Sequence, residues 1–163
     1  MKEVAEGLVY RDFMTVGLLL DSLKLKDPKA ENGRVMDDWI YVQERDVKIG
    51  RLQLFNNWSP YMVKDPDTVF MGLEYFCDEG DEMWNTPDQE FIDFAVGELE
   101  KLGIVERSHV KDAVLIRVPK AYPAYFGTYG QFGESGNLPI PLRTCFCWAG
   151  TASTAITTWI TPC

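Results

Sequence analysis

Apolar runs and alternations along the chain predict four β-strands. The strongest covers residues 10–20, where Arg11 and Asp12 lead into an apolar stretch typical of a buried strand, so we place this strand inside the sheet. The other predicted strands cover residues 39–42, 69–76 and 114–118, and residues 51–55 are a short apolar segment. Residues 56–61 are predicted to form an irregular turn, because Pro60 restricts the backbone of the residue before it.

A single helix has clear start and stop signals. Thr86 is placed as the N-cap, with Pro87 in the first helical position and Gln89 completing a capping box. Gly103 is expected to end the helix. The predicted buried face follows helical spacing and consists of Phe91, Ile92, Ala95, Val96, Leu99 and Leu102.

This order of elements predicts an α+β fold. Three strands, a helix and a further strand do not alternate as βαβ units do, which favours a twisted mixed or antiparallel sheet with covering helices. We assign this α+β domain to residues 1–132.

The chain changes character after Phe132. Residues 133–163 hold only two charged residues and six threonines, and they lack a helical or strand period. One interpretation is an apolar C-terminal extension. The other is that this irregular tail is translated out of frame: from Arg143 to Cys163, synonymous codons read in the shifted frame can spell NLFLLGRYGIHRYNNLDHSM. The start of the chain also looks truncated, so we expect a fragment of a larger protein.

Composition narrows the possible partners and the cellular location. The 163 residues carry a formal net charge of -9 with acidic residues spread along the chain, which disfavours nucleic acid and anionic membranes as partners. No run of some 18 apolar residues and no signal peptide is present, so we expect a cytoplasmic protein without a membrane span. Four cysteines without a CxxC pair and one histidine disfavour a metal site or a disulfide framework.

No residue pattern predicts a nucleophile with its base. The lone His109 follows the helix and is interpreted as a solvated loop residue. The acidic run at residues 78–82 lacks the ligand spacing of a calcium loop. Two aromatic and polar clusters remain, at residues 56–61 and 120–129, and these fit either the wall of an apolar pocket or core aromatics with satisfied polar ends.

Long segments of the chain resemble a known family. The segments are RDFMTVGLLL, DDWIYVQERDVKIGRLQLFNNWSPYMVKDPDTVFMGLEYFCDEGDEMWN and RVPKAYPAYFGTYGQF. They are similar to the middle and late region of bacterial FAD-dependent, amine-oxidase-like oxidoreductases, which are related to protoporphyrinogen oxidase and, more distantly, to UDP-galactopyranose mutase. The resemblance covers residues 5–132. The shifted-frame segment is in turn similar to the C-terminal segment that contacts the flavin in this family.

The resemblance implies a substrate wall facing a flavin. FAD is then the cofactor of the intact parent, a small molecule is its substrate, and the candidate substrate-binding residues are Tyr122, Tyr125, Asn57, Trp58, Tyr61 and Glu74. The family's N-terminal GxGxxG unit is absent here, so we assign no cofactor-binding residue to this chain and expect it to be inactive alone.

Two alternatives stay open at this point. A flavin-dependent sugar-nucleotide mutase would need basic residues for a diphosphate, for which Arg51 and Lys120 are the candidates. A non-enzymatic interaction domain is the other. The residues do not decide between net redox and isomerase chemistry, nor do they give the substrate or the oligomeric state.

Overall fold

The computed structural model describes residues 7–30 and 33–131 and confirms the α+β class. Its strands are β1 Tyr10–Leu20, β2 Trp39–Tyr41, β3 Arg51–Leu54, β4 Val69–Cys77 and β5 Val110–Pro123. Its α-helices are α1 Phe55–Trp58, α2 Glu82–Asn85 and α3 Asp88–Lys101, with 3-10 turns at Pro60–Met62, Arg107–His109 and Gly127–Gln131. Phe132 and the tail at 133–163 lie outside the described residues.

The five strands form one sheet in the order β2-β3-β4-β1-β5, so β1 is internal as predicted. Strands β2, β3 and β4 pair antiparallel. Strand β5 runs antiparallel to β1, because the backbone of Asp21 bonds His109 at one end and Ala124 bonds Val9 at the other.

Contacts along the chain divide it into two compact units. One unit is Phe13–Val118, which contains β2, β3, β4 and the three helices. The other combines the residues before Phe13 with those from Pro119 onward, of which 7–12 and 119–131 are described.

In the Phe13–Val118 unit, helix α3 packs its predicted apolar face against one face of the sheet. Phe91 meets Tyr75 of β4 edge to face, with ring centroids 4.9 Å apart. Ala95 and Leu99 are fully buried in the same cluster. Burying these side chains supplies the main driving force for this unit, at about 25 cal/mol per Å² of apolar surface removed from water.

The predicted helix face is confirmed, but the predicted N-cap is wrong. The residue at the N-cap position is Pro87, whereas the Thr86 hydroxyl donates to the Glu82 carbonyl one turn earlier. Thr86 therefore lies at the C-terminal end of the short helix α2. The sequence analysis did not predict this helix, because the acidic run at its start was interpreted as a loop. Gly103 ends α3 as predicted, with a φ of 70° that a residue with a side chain adopts only at a cost.

Two further elements differ from the sequence prediction. Residues 56–61 are helical for the most part, in α1 and the 3-10 turn that Pro60 begins. Strand β5 extends well beyond the predicted 114–118. The sequence prediction was too short because charged residues interrupt the apolar alternation at both ends of the strand.

The Arg117 side chain on β5 fastens the turn between α2 and α3. Its guanidinium donates to the carbonyls of Trp84 and Thr86, at 2.8 and 2.6 Å, and to the Asp88 carboxylate at 2.6 Å. These charge-assisted bonds fix the start of α3 over the sheet.

A buried carboxylate joins α3 to the segment before β3. Glu98 accepts hydrogen bonds from the backbone amides of Lys48 and Ile49 and from the Tyr75 hydroxyl. Burial raises the pKa of Tyr75, and the negative charge of Glu98 raises it further. Tyr75 therefore stays protonated and keeps donating to Glu98 at neutral pH.

This contact predicts a loss of stability at high pH. Above about pH 10 the unfolded chain releases the tyrosine proton while the folded chain retains it, so the free energy of unfolding must fall as the pH rises. We expect the wild type to lose about 1.4 kcal/mol more per pH unit than Tyr75→Phe in this range. At pH 7 the variant should be about 1 kcal/mol less stable than the wild type, because one hydrogen bond is lost.

Urea denaturation at several pH values measures this difference, and the remaining tyrosines are common to both proteins. Parallel stability profiles above about pH 10 would show that Tyr75 does not hold its proton in the folded chain.

Candidate functional site

The antiparallel register gives the face of the sheet opposite α3 a distinct set of side chains. Directly opposed residues share a face, and the register pairs Trp39 with Gln53, Tyr41 with Arg51, Arg51 with Glu74 and Gln53 with Gly72. The alternate set, which includes Ile40, Leu52 and Leu73, belongs to the core. We call the first set, with Phe70 of the same alternation and the adjoining Phe55 and Trp58 of α1, the open face.

Two glycines leave room for aromatic rings on the open face. A Cβ at Gly72 would come within 2.9 Å of the Phe55 ring, which packs against Phe70 at a tilt of 35° with centroids 4.8 Å apart. A Cβ at Gly17 of β1 would meet the Phe70 ring at 3.3 Å and Val114 of β5 at 3.1 Å. The apolar surface therefore continues from β4 across β1 to β5.

The Arg51 guanidinium lies at the centre of the aromatic part of the open face. Its carbon is 4.5 Å from the centroid of the Trp39 ring and 5.8 Å from that of Tyr41. Trp58 meets Trp39 edge to face, with centroids 5.1 Å apart. One cation–π contact and one edge-to-face contact hold Trp39 in place, although 42% of Trp39 is exposed.

Beneath these rings lies a buried carboxylate. Glu74 is only 2% exposed, and its Oε2 accepts from Arg51 Nε at 2.7 Å and also from Arg51 Nη2. Its Oε1 accepts from the Gln53 amide. Both carboxylate oxygens therefore have donors, and the charge of Arg51 is neutralised at the same point.

Two asparagines of α1 position the ends of the open face. The Asn56 amide donates to the Thr68 carbonyl at 2.8 Å and accepts from the Phe70 amide at 2.9 Å, which fixes the start of β4. The Asn57 amide donates to the carbonyls of Val35 and Asp37 at 3.0 and 2.9 Å, which fixes the segment leading to β2.

The structure brings some of the sequence-predicted site residues together. Trp58 and Glu74 belong to the open face, and Asn57 lies beside Trp58 in α1 with its amide bonded to the backbone. Tyr61 lies in the 3-10 turn after α1 and is 95% exposed.

Tyr122 and Tyr125 belong to the other unit. Tyr122 is half-buried at the end of β5. Tyr125 is exposed and meets Tyr129 edge to face with centroids 5.0 Å apart. In this unit the buried Asp12 carboxylate accepts from the backbone amide of Lys120, which has a φ of 53°. This bond fixes the backbone two residues before Tyr122.

The sequence prediction missed Trp39, Tyr41 and Gln53 as members of the site. The signal was present as the alternation Trp39-x-Tyr41 and Arg51-x-Gln53, in which every second residue is apolar and belongs to the core. Only the register shows that these pairs lie beside Glu74.

The other candidate catalytic and metal-binding side chains do not lie together in the described part of the chain. His109 is half-buried, with Nδ1 3.4 Å from the Ser22 hydroxyl, so it is not a fully solvated loop residue. Within residues 7–30 and 33–131, no cluster of His, Cys, Asp and Glu side chains could hold a metal ion. No helix in those residues is long and apolar enough to cross a membrane.

Two clefts of the Phe13–Val118 unit lie away from the aromatic rings of the open face. One, of about 240 Å³, is lined by Leu54 and the α1 asparagines. The other, of about 510 Å³, lies between Met83, Phe91 and Phe94 beneath acidic side chains.

The sheet with α3 on one face and an aromatic open face on the other defines an α+β fold that recurs inside larger enzymes. The structure of reduced UDP-galactopyranose mutase is similar to 76% of this chain, with a TM-score of 0.54 and 20% identity, over 25% of its own length. An Exiguobacterium sp. 255-15 protein identified as a protoporphyrinogen oxidase is similar to 74% of the chain, with a TM-score of 0.54 and 16% identity, again over 25% of its length.

The chain thus spans about a quarter of the length of these solved chains. At such identities the likeness shows the fold alone. Comparisons with protein families and with curated proteins find no match.

The geometry at Glu74 predicts strong coupling between Arg51 and Glu74. Arg51→Met leaves a buried carboxylate without its countercharge, so we expect a loss of about 3 kcal/mol in the free energy of unfolding. The double variant Arg51→Met/Glu74→Leu should recover most of that loss, because neither charge then remains buried. Urea denaturation of the four proteins gives the coupling energy.

The matched control is the exposed pair Arg107–Asp93, whose side chains are 49% and 55% exposed. A cycle at this pair should give a coupling below about 1 kcal/mol, because water screens it. Equal couplings at the two pairs would contradict the burial of the Arg51–Glu74 interaction.

Proposed function

We propose that the open face forms the substrate-side wall of a cavity in an FAD-dependent oxidoreductase, with the flavin held by a part of the enzyme outside this chain. The observation that carries the proposal is a rigid aromatic surface built on a fold shared with two larger enzymes. Ligand cavities are lined mainly by apolar and aromatic side chains with a few fixed polar groups, and the open face has this composition. The resemblance of residues 5–132 to FAD-dependent oxidoreductases supports the same assignment.

The residues of this chain do not fit the dinucleotide part of FAD. A pyrophosphate site needs a glycine-rich turn between a strand and a helix N-terminus, and no GxGxxG occurs in the sequence. The flavin would carry the redox chemistry when bound. The contribution of this chain would be to shape the cavity, exclude water and orient the substrate.

Within this proposal the candidate residues have different roles. Trp58 contacts Trp39 and would line the cavity, whereas Glu74 holds Arg51 under the rings and would position them. Tyr122 and Tyr125 remain candidates for substrate contact through the family resemblance alone. The net charge of -9 supports a small-molecule substrate rather than nucleic acid or a membrane, and a cytoplasmic location is part of the proposal.

A second candidate is a flavin-dependent sugar-nucleotide mutase. The fold match to UDP-galactopyranose mutase favours it as much as the other match favours an oxidoreductase. This function would require basic side chains that bind a diphosphate, for which Arg51 and Lys120 are the candidates.

The test compares this chain with the same chain expressed together with any coding sequence that flanks it. We expect the purified 163-residue chain to be colourless and to bind no FAD in titrations up to roughly 100 μM, because it lacks a pyrophosphate site. The same chain joined to its flanking coding sequence, with the frame after Phe132 set by the nucleotide sequence, should purify yellow. Absorbance spectra and FAD release on denaturation measure both.

Stoichiometric FAD on the short chain would contradict the placement of the flavin outside it. A colourless, folded longer protein that takes up no added FAD would contradict the flavoenzyme assignment as a whole.

A further inference from the structure

We propose that the open face recognises an uncharged, planar ring compound, and that it selects against diphosphates and ammonium ions. This inference rests on the proposed function, since it names the substrate class of the cavity wall described above. It follows from the contacts of the two charged side chains of the open face, Arg51 and Glu74, which bind each other.

The positive charge of the open face is already committed. Among the described residues of β2, β3 and β4 on this face, Arg51 is the only one with a basic side chain. Its Nε and Nη2 both donate to Glu74, and the Trp39 ring covers the guanidinium. A diphosphate needs cations that can turn toward it, and this cation is held by a carboxylate on one side and a ring on the other.

The negative charge of the open face, on Glu74, also has its partners within the protein. Glu74 is 2% exposed, and its two oxygens accept from Arg51 and Gln53. An ammonium ion brought to this surface would find no accessible carboxylate on β2, β3 or β4 of the described chain. It would also meet the positive guanidinium that already occupies the Trp39 ring.

The groups that remain for a ligand are aromatic surfaces. Trp39, Tyr41 and Trp58 are all exposed, and Trp39 is held in place by Arg51 and Trp58. Large rings fixed before binding offer contact area at little cost in conformational entropy. Planar, uncharged rings can stack on such a surface without needing a charged partner.

The experiment titrates the 163-residue chain with three probes of different charge. They are the uncharged N-phenyl-1-naphthylamine, the anionic diphosphate UDP, and benzylammonium chloride. Emission of the first probe and quenching of tryptophan fluorescence by the others report binding. We expect the uncharged probe to bind and neither charged probe to bind below about 1 mM.

Matched variants locate the binding. Trp39→Leu and Tyr41→Leu each remove one ring of the open face and should weaken the uncharged probe by about tenfold, the loss typical of one stacking contact. The control is Phe94→Leu on α3, because Phe94 has the same 42% exposure as Trp39 but lies in the acidic cleft on the other side of the sheet. It should leave the affinity within about twofold. Circular dichroism and thermal melting show that each variant is folded.

The possible failures are distinguishable. UDP binding that Arg51→Gln abolishes, or benzylammonium binding that Glu74→Gln abolishes, would overturn the substrate class and leave the open face as a ligand-binding wall. If neither charged probe binds and the uncharged probe binds the wild type, Trp39→Leu and Tyr41→Leu equally, the open face is no ligand surface, and both the inference and the wall assignment are overturned.

Discussion

The alternation of side chains along antiparallel strands makes the two faces of the sheet in the Phe13–Val118 unit chemically different. One face is apolar and packs against α3, and the other carries aromatic and charged side chains. Helix α3 covers the face that holds Leu52, Leu73 and Tyr75, so those positions are apolar and tightly packed. The residues between them in sequence must point the other way. Any change of register by one residue would bring Arg51 and Glu74 under the helix and Leu52 and Leu73 into solvent, which is why the register is strongly specified.

Each face carries one buried carboxylate, and the two serve different ends. Glu98 is satisfied by two backbone amides and a hydroxyl, with no cation among these donors, so it fixes the geometry between α3 and the segment before β3. Glu74 is satisfied by two side chains of β3, one of them charged. It therefore fixes side-chain positions on the open face, and through Arg51 it sets where the Trp39 and Tyr41 rings lie.

The sequence was sufficient for the elements whose signals are local. Residues 10–20 form an internal strand as predicted, and the buried face of α3 agrees with its helical spacing. It was insufficient where a side chain has a partner distant in sequence. Thr86 has the residue type of an N-cap, but its carbonyl accepts a hydrogen bond from the Arg117 guanidinium of β5, 31 residues away in sequence.

The same distinction applies to the candidate site. Trp58 and Glu74 were candidates through the family resemblance, whereas Trp39, Tyr41 and Gln53 were missed because their proximity to Glu74 depends on how β2, β3 and β4 pair. A tryptophan in an alternating strand is as well explained by the core as by a site. Only the register assigns Trp39 to the face opposite α3.

The Arg51–Glu74 pair also couples the stability of the fold to the chemistry that the open face can support. For a mutase to use Arg51 as a diphosphate ligand, the guanidinium would have to leave Glu74. The carboxylate would then stay buried without its countercharge, at a cost of about 3 kcal/mol, which the diphosphate contact would have to exceed. An oxidoreductase acting on an uncharged ring compound needs no such displacement, since the pair stays intact beneath the rings that the substrate contacts. The interaction that makes a buried carboxylate tolerable in this sheet is therefore also the one on which our proposal of an uncharged ligand rests.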